Sequence, residues 1–229
     1  MALLVRSWNL FHGNASPPRR RSYLGEMVEL AAADRPDVLC LQEVPVWGIE
    51  HLGSWSGMRV FPAIARRGLP PARFAGWATR LNNGLLRSAI SGQANAILVG
   101  AADDAEDLGG ERVSDRGHER RVCQVIRLDV GIVVANTHLS SAGDAQLVEL
   151  ERVRVFAESR ARPGEAVLLA GDFNRREVHL DGYAAPGPGI DHVLVRGAAA
   201  QPLVVWPEER RRQNGVVLSD HAPVELRVG

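Results

Sequence analysis

The stretch Ala166-Val167-Leu168-Leu169-Ala170-Gly171-Asp172-Phe173-Asn174 decides how this chain is read. Its first five residues form a short apolar run of the length of a buried strand. The run leads straight into a carboxylate and an amide. Ser219-Asp220-His221 mirrors it near the C-terminus, leading into the apolar-rich stretch Ala222-Pro223-Val224-Glu225-Leu226-Arg227-Val228. Side chains that handle protons or metal ions therefore stand at the ends of strands, where a rigid sheet can aim them.

Other short runs, bounded by Gly, Pro, Asp or Asn, read as strands as well. They are Leu3 to Ser7, Val38 to Leu41, Asn95 to Val99, Val122 to Val130, Ile132 to Asn136, His192 to Val195 and Leu203 to Val205. Asp129 to Gly131 is expected to turn between two antiparallel strands. Two segments have helical period: Leu24, Met27, Val28 and Ala31 before Pro36, and Leu147, Leu150, Val153 and Ala157 before Pro163-Gly164. Many strands with few helices predict an α/β chain in which two packed sheets carry helices on the outside. Residues 63–92, with Pro70-Pro71, Trp77 and several arginines, read as an irregular, substrate-facing loop. Residues 101–119 read as a surface connection. No repeat or linker divides the chain, so one domain over 1–229 is expected.

The 27 basic and 27 acidic residues cancel. That balance argues against a protein that grips nucleic acid through a globally basic surface, although a local basic groove is compatible with it. The clusters Arg19-Arg20-Arg21 and Arg210-Arg211-Arg212 read as solvated loops or, more sharply, as phosphate contacts. Cys40 and Cys123 lie inside apolar runs and read as small buried hydrophobes. No apolar run approaches the roughly 20 residues of a membrane span. Met1 to Val5 is too short for a signal peptide and lacks its charged start. A cytoplasmic protein without stable membrane insertion is the expectation.

The polar groups at strand ends fall in five places: Trp8-Asn9, Gln42-Glu43, Asn136-Thr137-His138-Leu139, Gly171 to Asn174, and Ile190-Asp191-His192 with Ser219-Asp220-His221. One such group is a weak signal, because a Glu after a strand is usually a surface residue and a lone His usually structural. As a set, hard oxygen donors beside imidazoles suit magnesium or manganese, and nothing has the spacing of a zinc site. His192 falls on the opposite face from Asp191 in an extended segment and reads as structural. Trp8 reads as core packing near the site. His12, His51, His118 and His179 have no motif around them.

In these segments the chain resembles the endonuclease/exonuclease/phosphatase family, which includes deoxyribonucleases, exonuclease III-like repair nucleases, inositol polyphosphate 5-phosphatases and neutral sphingomyelinases. The resemblance runs in order through Ser7-Trp8-Asn9, Asp37 to Val44, Asn95 to Leu98, Asn136 to Leu139, Gly171 to Asn174, Ile190 to His192 and Ser219 to Val224. It implies a four-layer α/β sandwich, two mixed sheets flanked by helices, that hydrolyses phosphoesters with Mg2+ or Mn2+. It implies Glu43 as principal metal ligand, with Asn9 and Asp220 in or beside that shell. Asp172 and Asn174 would orient or deprotonate the attacking water and contact the phosphate. His221 would bind the phosphate or move a proton, with Asp191 as its acidic partner, and His138 would be the second active-site histidine. Asp172 is the first choice of base, and His221 is the alternative.

The most specific expectation is a monomeric phosphodiesterase or nuclease, with DNA or RNA among the candidate substrates. The alternatives are a small-molecule or phospholipid-headgroup phosphatase and, from another class, a non-catalytic binding module. The presence of Glu43, Asp172, Asn174, Asp220 and His221 together weighs against the last. Two departures from the family stand out. The interval from Asn174 to Asp191 is short where repair nucleases carry a DNA-gripping insertion. Asn95 stands where some deoxyribonucleases have a glutamate that supports the central histidine, leaving the partner of His138 open.

Overall fold

The computed structural model describes residues 2–68, 91–101, 103–141, 143–184 and 187–229. In chain order its elements are β1 (Leu3–Asn9), β2 (Ala15–Ser16), α1 (Leu24–Ala32), β3 (Val38–Val44), α2 (Leu52–Ser56), β4 (Arg59–Arg66) and β5 (Gln93–Val99). There follow β6 (Ala105–Arg112), β7 (Val122–Leu128), β8 (Ile132–His138), α3 (Ala145–Arg160), β9 (Ala166–Asp172) and β10 (Asp191–Arg196). The chain closes with β11 (Val204–Val205), β12 (Arg212–Gln213), β13 (Val216–Leu218) and β14 (Val224–Val228).

Six strands form one sheet in the order β11-β14-β1-β3-β5-β4, and five form a second in the order β10-β9-β8-β7-β6. Both are mixed, with β1 parallel to β3 and β8 parallel to β9 among antiparallel neighbours. The sheets bury a common core between them: Val5, Cys40 and Ile97 meet Ile126, Val134, Leu168 and Val193. The outer face of the first sheet packs Leu39, Leu41 and Leu98 against Leu24, Met27, Val28 and Ala31 of α1. The outer face of the second packs Val133, Val167 and Leu169 against Leu150, Val153, Phe156 and Ala157 of α3. The result is a four-layer α/β sandwich. Covering on both faces explains why the central strands read as continuous apolar runs rather than alternating ones. Each Val, Leu or Ile buried this way contributes about 1.5–3 kcal/mol. Both cysteines are free and buried among these side chains.

Three readings of the sequence change. Residues 105–112 are not a plain connection but the edge strand β6, whose exposed Asp and Glu side chains and Gly109-Gly110 interruption hide its extended form. Residues 63–66 belong to a second edge strand, β4, which tolerates Pro62 because only one side of it is paired. Of the expected irregular loop over 63–92, residues 69–90 lie outside the described residues. Leu147 is exposed; the buried stripe of α3 starts instead at Gln146 and Glu149, one step around the helix. Among the described residues no helix is long and apolar enough to cross a membrane.

The topology places the site. Asn9, Glu43, His138 and Asp172 all lie at the C-terminal ends of β1, β3, β8 and β9, and these ends open onto one rim between the sheets. A small sheet of β12, β13 and β2 brings the C-terminal loop to the same rim. The Ser219 N–H donates to Asn14 O at 3.0 Å, and Arg211 Nη1 holds the carbonyls of Leu218 (3.0 Å) and Ser219 (2.8 Å). Arg211 of the triple-arginine run therefore braces the loop carrying Asp220 and His221. Its neighbour Arg210 stacks over Trp206 and bridges Asp34 and Glu225.

Candidate active site

Register sets one row of the site. On the second sheet, His138 pairs with Asp172 across β8 and β9, and Asp172 pairs with Asp191 across β9 and β10. His221, delivered by the loop before β14, docks on this row with Nδ1 2.9 Å from Asp191 Oδ2 and Nε2 3.7 Å from Asp172 Oδ2. Trp8 Nε1 donates to His221 O at 2.9 Å, and the His221 N–H donates to Ser219 Oγ at 3.1 Å, so the backbone beneath the ring is fixed from two sides. Trp8 is thus both core and support.

Asn9 joins the two sheets. Its Nδ2 donates to Asp172 Oδ2 at 2.9 Å and lies 3.3 Å from Glu43 Oε1, while its Oδ1 accepts the Phe11 N–H. Beneath it, Gln42 Nε2 donates to Asn136 Oδ1 at 2.8 Å, and Asn136 Nδ2 donates to the carbonyls of Leu41 and Ala96. That interruption in the β3–β5 pairing is where Glu43 turns into the rim. Glu43 has φ +52°, Asn174 +51° and Ser219 +60°. Side-chain-bearing residues in this left-handed region cost about 1–3 kcal/mol and cluster at functional sites.

Asp172 is almost wholly buried, and its Oδ1 accepts the Asn174 N–H at 2.8 Å. Asn174 Nδ2 donates to Leu139 O at 2.9 Å, which ties the two loops after β8 and β9 together. Gly171, just before Asp172, has φ +143°, and a Cβ there would lie 1.9 Å from Thr137 O. Only glycine allows β9 this close to β8.

The electrostatics follow from crowding. Burial, and then the Asp191 charge, pushes the Asp172 carboxyl up to about 6. Burial pushes Glu43 up to about 7, with Asp172 and Asp220 adding to the shift. Burial works against charge on His221, but the Asp191 hydrogen bond and the surrounding carboxylates raise it to about 9. His138 is held well below its ordinary value by burial and by the nearby Arg121 guanidinium. Arg121 is buried, and its Nε and Nη1 have no hydrogen-bond partner, although Nη2 reaches Glu119 at 3.0 Å.

The expected residues do converge, with differences in emphasis. Asp220 is exposed at the mouth. Its charge nevertheless reaches both Glu43 and His221. The tightest His/Asp/Glu cluster among the described residues is Asp172, Asp191 and His221, with ligand atoms within 4.8 Å of one another. Within it, His221 Nδ1 is already engaged by Asp191 Oδ2 at 2.9 Å. The oxygens of Glu43 and Asp220 are a hard donor set beside the Asn9 amide, and the mutual repulsion of the carboxylates is what a divalent cation would relieve. The residues present therefore fit magnesium or manganese.

Sequence reasoning missed two residues. Gln93, the first residue of β5, lies with its Nε2 3.0 Å from His138 Nδ1, so it is the partner left open above. Asn95 instead donates to Val122 O. Position 93 shares a face with 95, and that spacing was the available signal. His12, which has no motif, has its Nε2 3.2 Å from Glu43 Oε2. His192 packs against Phe173 and contacts Arg175 O at 2.7 Å, away from the row.

The sequence model of the Endonuclease/Exonuclease/phosphatase family matches residues 7–221. Comparison with curated proteins gives no match. Solved structures give many. TDP2 from Caenorhabditis elegans superposes with a TM-score of 0.68 at 18% identity, over 100% of this chain and 74% of that one. An endonuclease/exonuclease/phosphatase from Beutenbergia cavernae gives 0.71 at 16%, over 99% and 71%. The mannosyl-6-phosphatase Bt3783 of Bacteroides thetaiotaomicron gives 0.65 at 14%, over 99% of both chains. At these identities the likeness is one of fold.

Proposed function

Because the chain belongs to the endonuclease/exonuclease/phosphatase family, we propose that it is a divalent-metal-dependent phosphoester hydrolase, with phosphodiesters as its first substrate class. The observation that carries this reading is the row Asp191–His221–Asp172 facing Glu43 across Asn9. It sets a cationic pole and an acidic pole on one rim, as hydrolysis of an anionic ester requires.

Glu43, with Asn9 and Asp220, would hold Mg2+ or Mn2+, which when bound neutralises phosphate charge and stabilises the oxyanion that develops. The remaining work falls to the chain's own groups. Asp172, fixed by Asn9 Nδ2 and the Asn174 N–H, orients the attacking water and takes its proton. A carboxylate lifted to about 6 is a better base near neutral pH than an ordinary one. His221, kept protonated by Asp191, donates to the phosphate oxygens. His138 is neutral; with Gln93 Nε2 donating to its Nδ1, it presents Nε2–H to the same place. The unused donors of Arg121 add positive charge behind it.

A second reading, a phosphatase of small phosphoesters, is favoured by the zero net charge and the short interval from Asn174 to Asp191. The structural neighbour named a mannosyl-6-phosphatase is compatible with it. One assay tests both: hydrolysis of bis(p-nitrophenyl) phosphate, p-nitrophenyl phosphate, phosphoinositides and single-stranded DNA with Mg2+, Mn2+ or EDTA. Metal-dependent turnover of diesters supports the first reading. Turnover of monoesters alone supports the second, and no hydrolysis with any metal rejects both.

A further inference from the structure

We propose that His12 supplies a nitrogen donor to the cation site centred on Glu43, tilting that site toward manganese over magnesium. The inference rests on the metal-dependent reading above and adds a residue that none of the motifs contains.

His12 is held in place by its turn rather than by a strand. It sits in the turn Phe11–Gly13 directly after β1, with φ +52° and ψ +28°. A histidine persists in that conformation only where its surroundings fix it. They do so here: Gly13 packs so tightly on α1 that a Cβ would lie 2.9 Å from the Leu24 Cβ. The Tyr23 N–H also donates to Gly13 O at 2.8 Å. The outcome is a buried imidazole whose Nε2 lies 3.2 Å from Glu43 Oε2, while Asn9 Nδ2 approaches Oε1. Glu43 also has a left-handed backbone. Two strained residues from separate segments thus aim their side chains at each other.

A hydrogen bond alone would account for the distance. Two observations carry the argument further. Octahedral cations with donors at 2.0–2.2 Å place neighbouring donor atoms about 3 Å apart, which is the separation found. And among the described ion pairs Glu43 meets only the imidazoles of His12 and His138, while Asp172 and Asp220 crowd it with like charge. An anionic pocket with an imidazole nitrogen on its edge suits a cation that accepts mixed oxygen and nitrogen donors. Imidazole favours first-row transition ions, and magnesium prefers oxygen alone.

The test is pulsed electron paramagnetic resonance of the Mn2+-loaded full chain, with Mn2+ and Mg2+ affinities measured by titration. The wild type should show coupling from an imidazole nitrogen. In His12→Gln that coupling should vanish, and Mn2+ affinity should fall about tenfold or more, with a smaller change for Mg2+. If His12→Gln does not fold, the His138→Gln/His221→Gln double variant decides: coupling retained there assigns it to His12, and coupling lost overturns the proposal. Mn2+ bound by an active wild type without nitrogen coupling overturns the inference alone. A wild type that binds no Mn2+ overturns the metal-dependent reading as well.

Discussion

Asp172 and Asp191 stand directly opposite each other on neighbouring antiparallel strands, and the imidazole of His221 bridges them, 2.9 Å from one carboxylate and 3.7 Å from the other. Two buried carboxylates this close repel, and the shared imidazolium offsets the repulsion. Asp191→Asn removes the anion that keeps His221 protonated. Turnover is expected to fall about 10²–10⁴-fold, the usual range for a disabled proton-handling group. Steady-state kinetics on the best phosphoester checks this, and a variant within threefold of wild type would count against the row as the reacting centre.

Gln93 fixes His138 through a single amide contact. Replacing it with Leu leaves a buried ring nitrogen without its partner, which costs about 1–2 kcal/mol. The expected outcome is a fall of roughly 5- to 30-fold in kcat, with KM little changed and a loss of about 1–2 kcal/mol in unfolding free energy. Restoration of kcat by Gln93→Asn plus a water, or by any other amide, would support positioning; unchanged kcat in Gln93→Leu would exclude it.

Gly171→Ala tests the close approach of β9 to β8. The added Cβ meets the Thr137 carbonyl, which is backbone and cannot swing aside. The strands must part at the row carrying His138 and Asp172. A loss of about 3 kcal/mol or more is expected in urea unfolding. A variant of wild-type stability would show that the strands do not pack this closely.

Arg6 is fully buried and pairs with Asp34 and Glu225. The Arg6 guanidinium holds Asp34 below its ordinary range. Burial works against charge on Glu225, but the Trp206 indole and the Arg6 guanidinium together bring it below its ordinary range. Both folded-state values are depressed, so their stabilisation is present above the unfolded values and is lost as pH falls below about 4. Glu225→Gln should lower stability at neutral pH and flatten the acid limb of a melting-temperature profile. An acid limb as steep as that of the wild type would remove this pair from the account.

The layers and most of the rim were legible because the signal is local. An apolar run followed at once by Asn9, Glu43, His138 or Asp172 places a polar group at a strand end whatever the tertiary detail. Edge strands β4 and β6 escaped because one side is solvated and Pro62 or Gly109-Gly110 breaks the pattern. Gln93 escaped because an amide opening a strand is chemically silent until its neighbour across the sandwich is known. His12 escaped because a left-handed turn, which no periodicity announces, carries it to Glu43.

The central claim, that Glu43 anchors metal-assisted hydrolysis on this rim, is tested most directly by the rate of bis(p-nitrophenyl) phosphate hydrolysis in Mn2+ for the wild type and Glu43→Gln at matched thermal stability. The account predicts an EDTA-sensitive rate in the wild type and a loss of at least about a hundredfold in the variant. Equal rates in the two proteins, or a wild-type rate that EDTA leaves untouched, would contradict it.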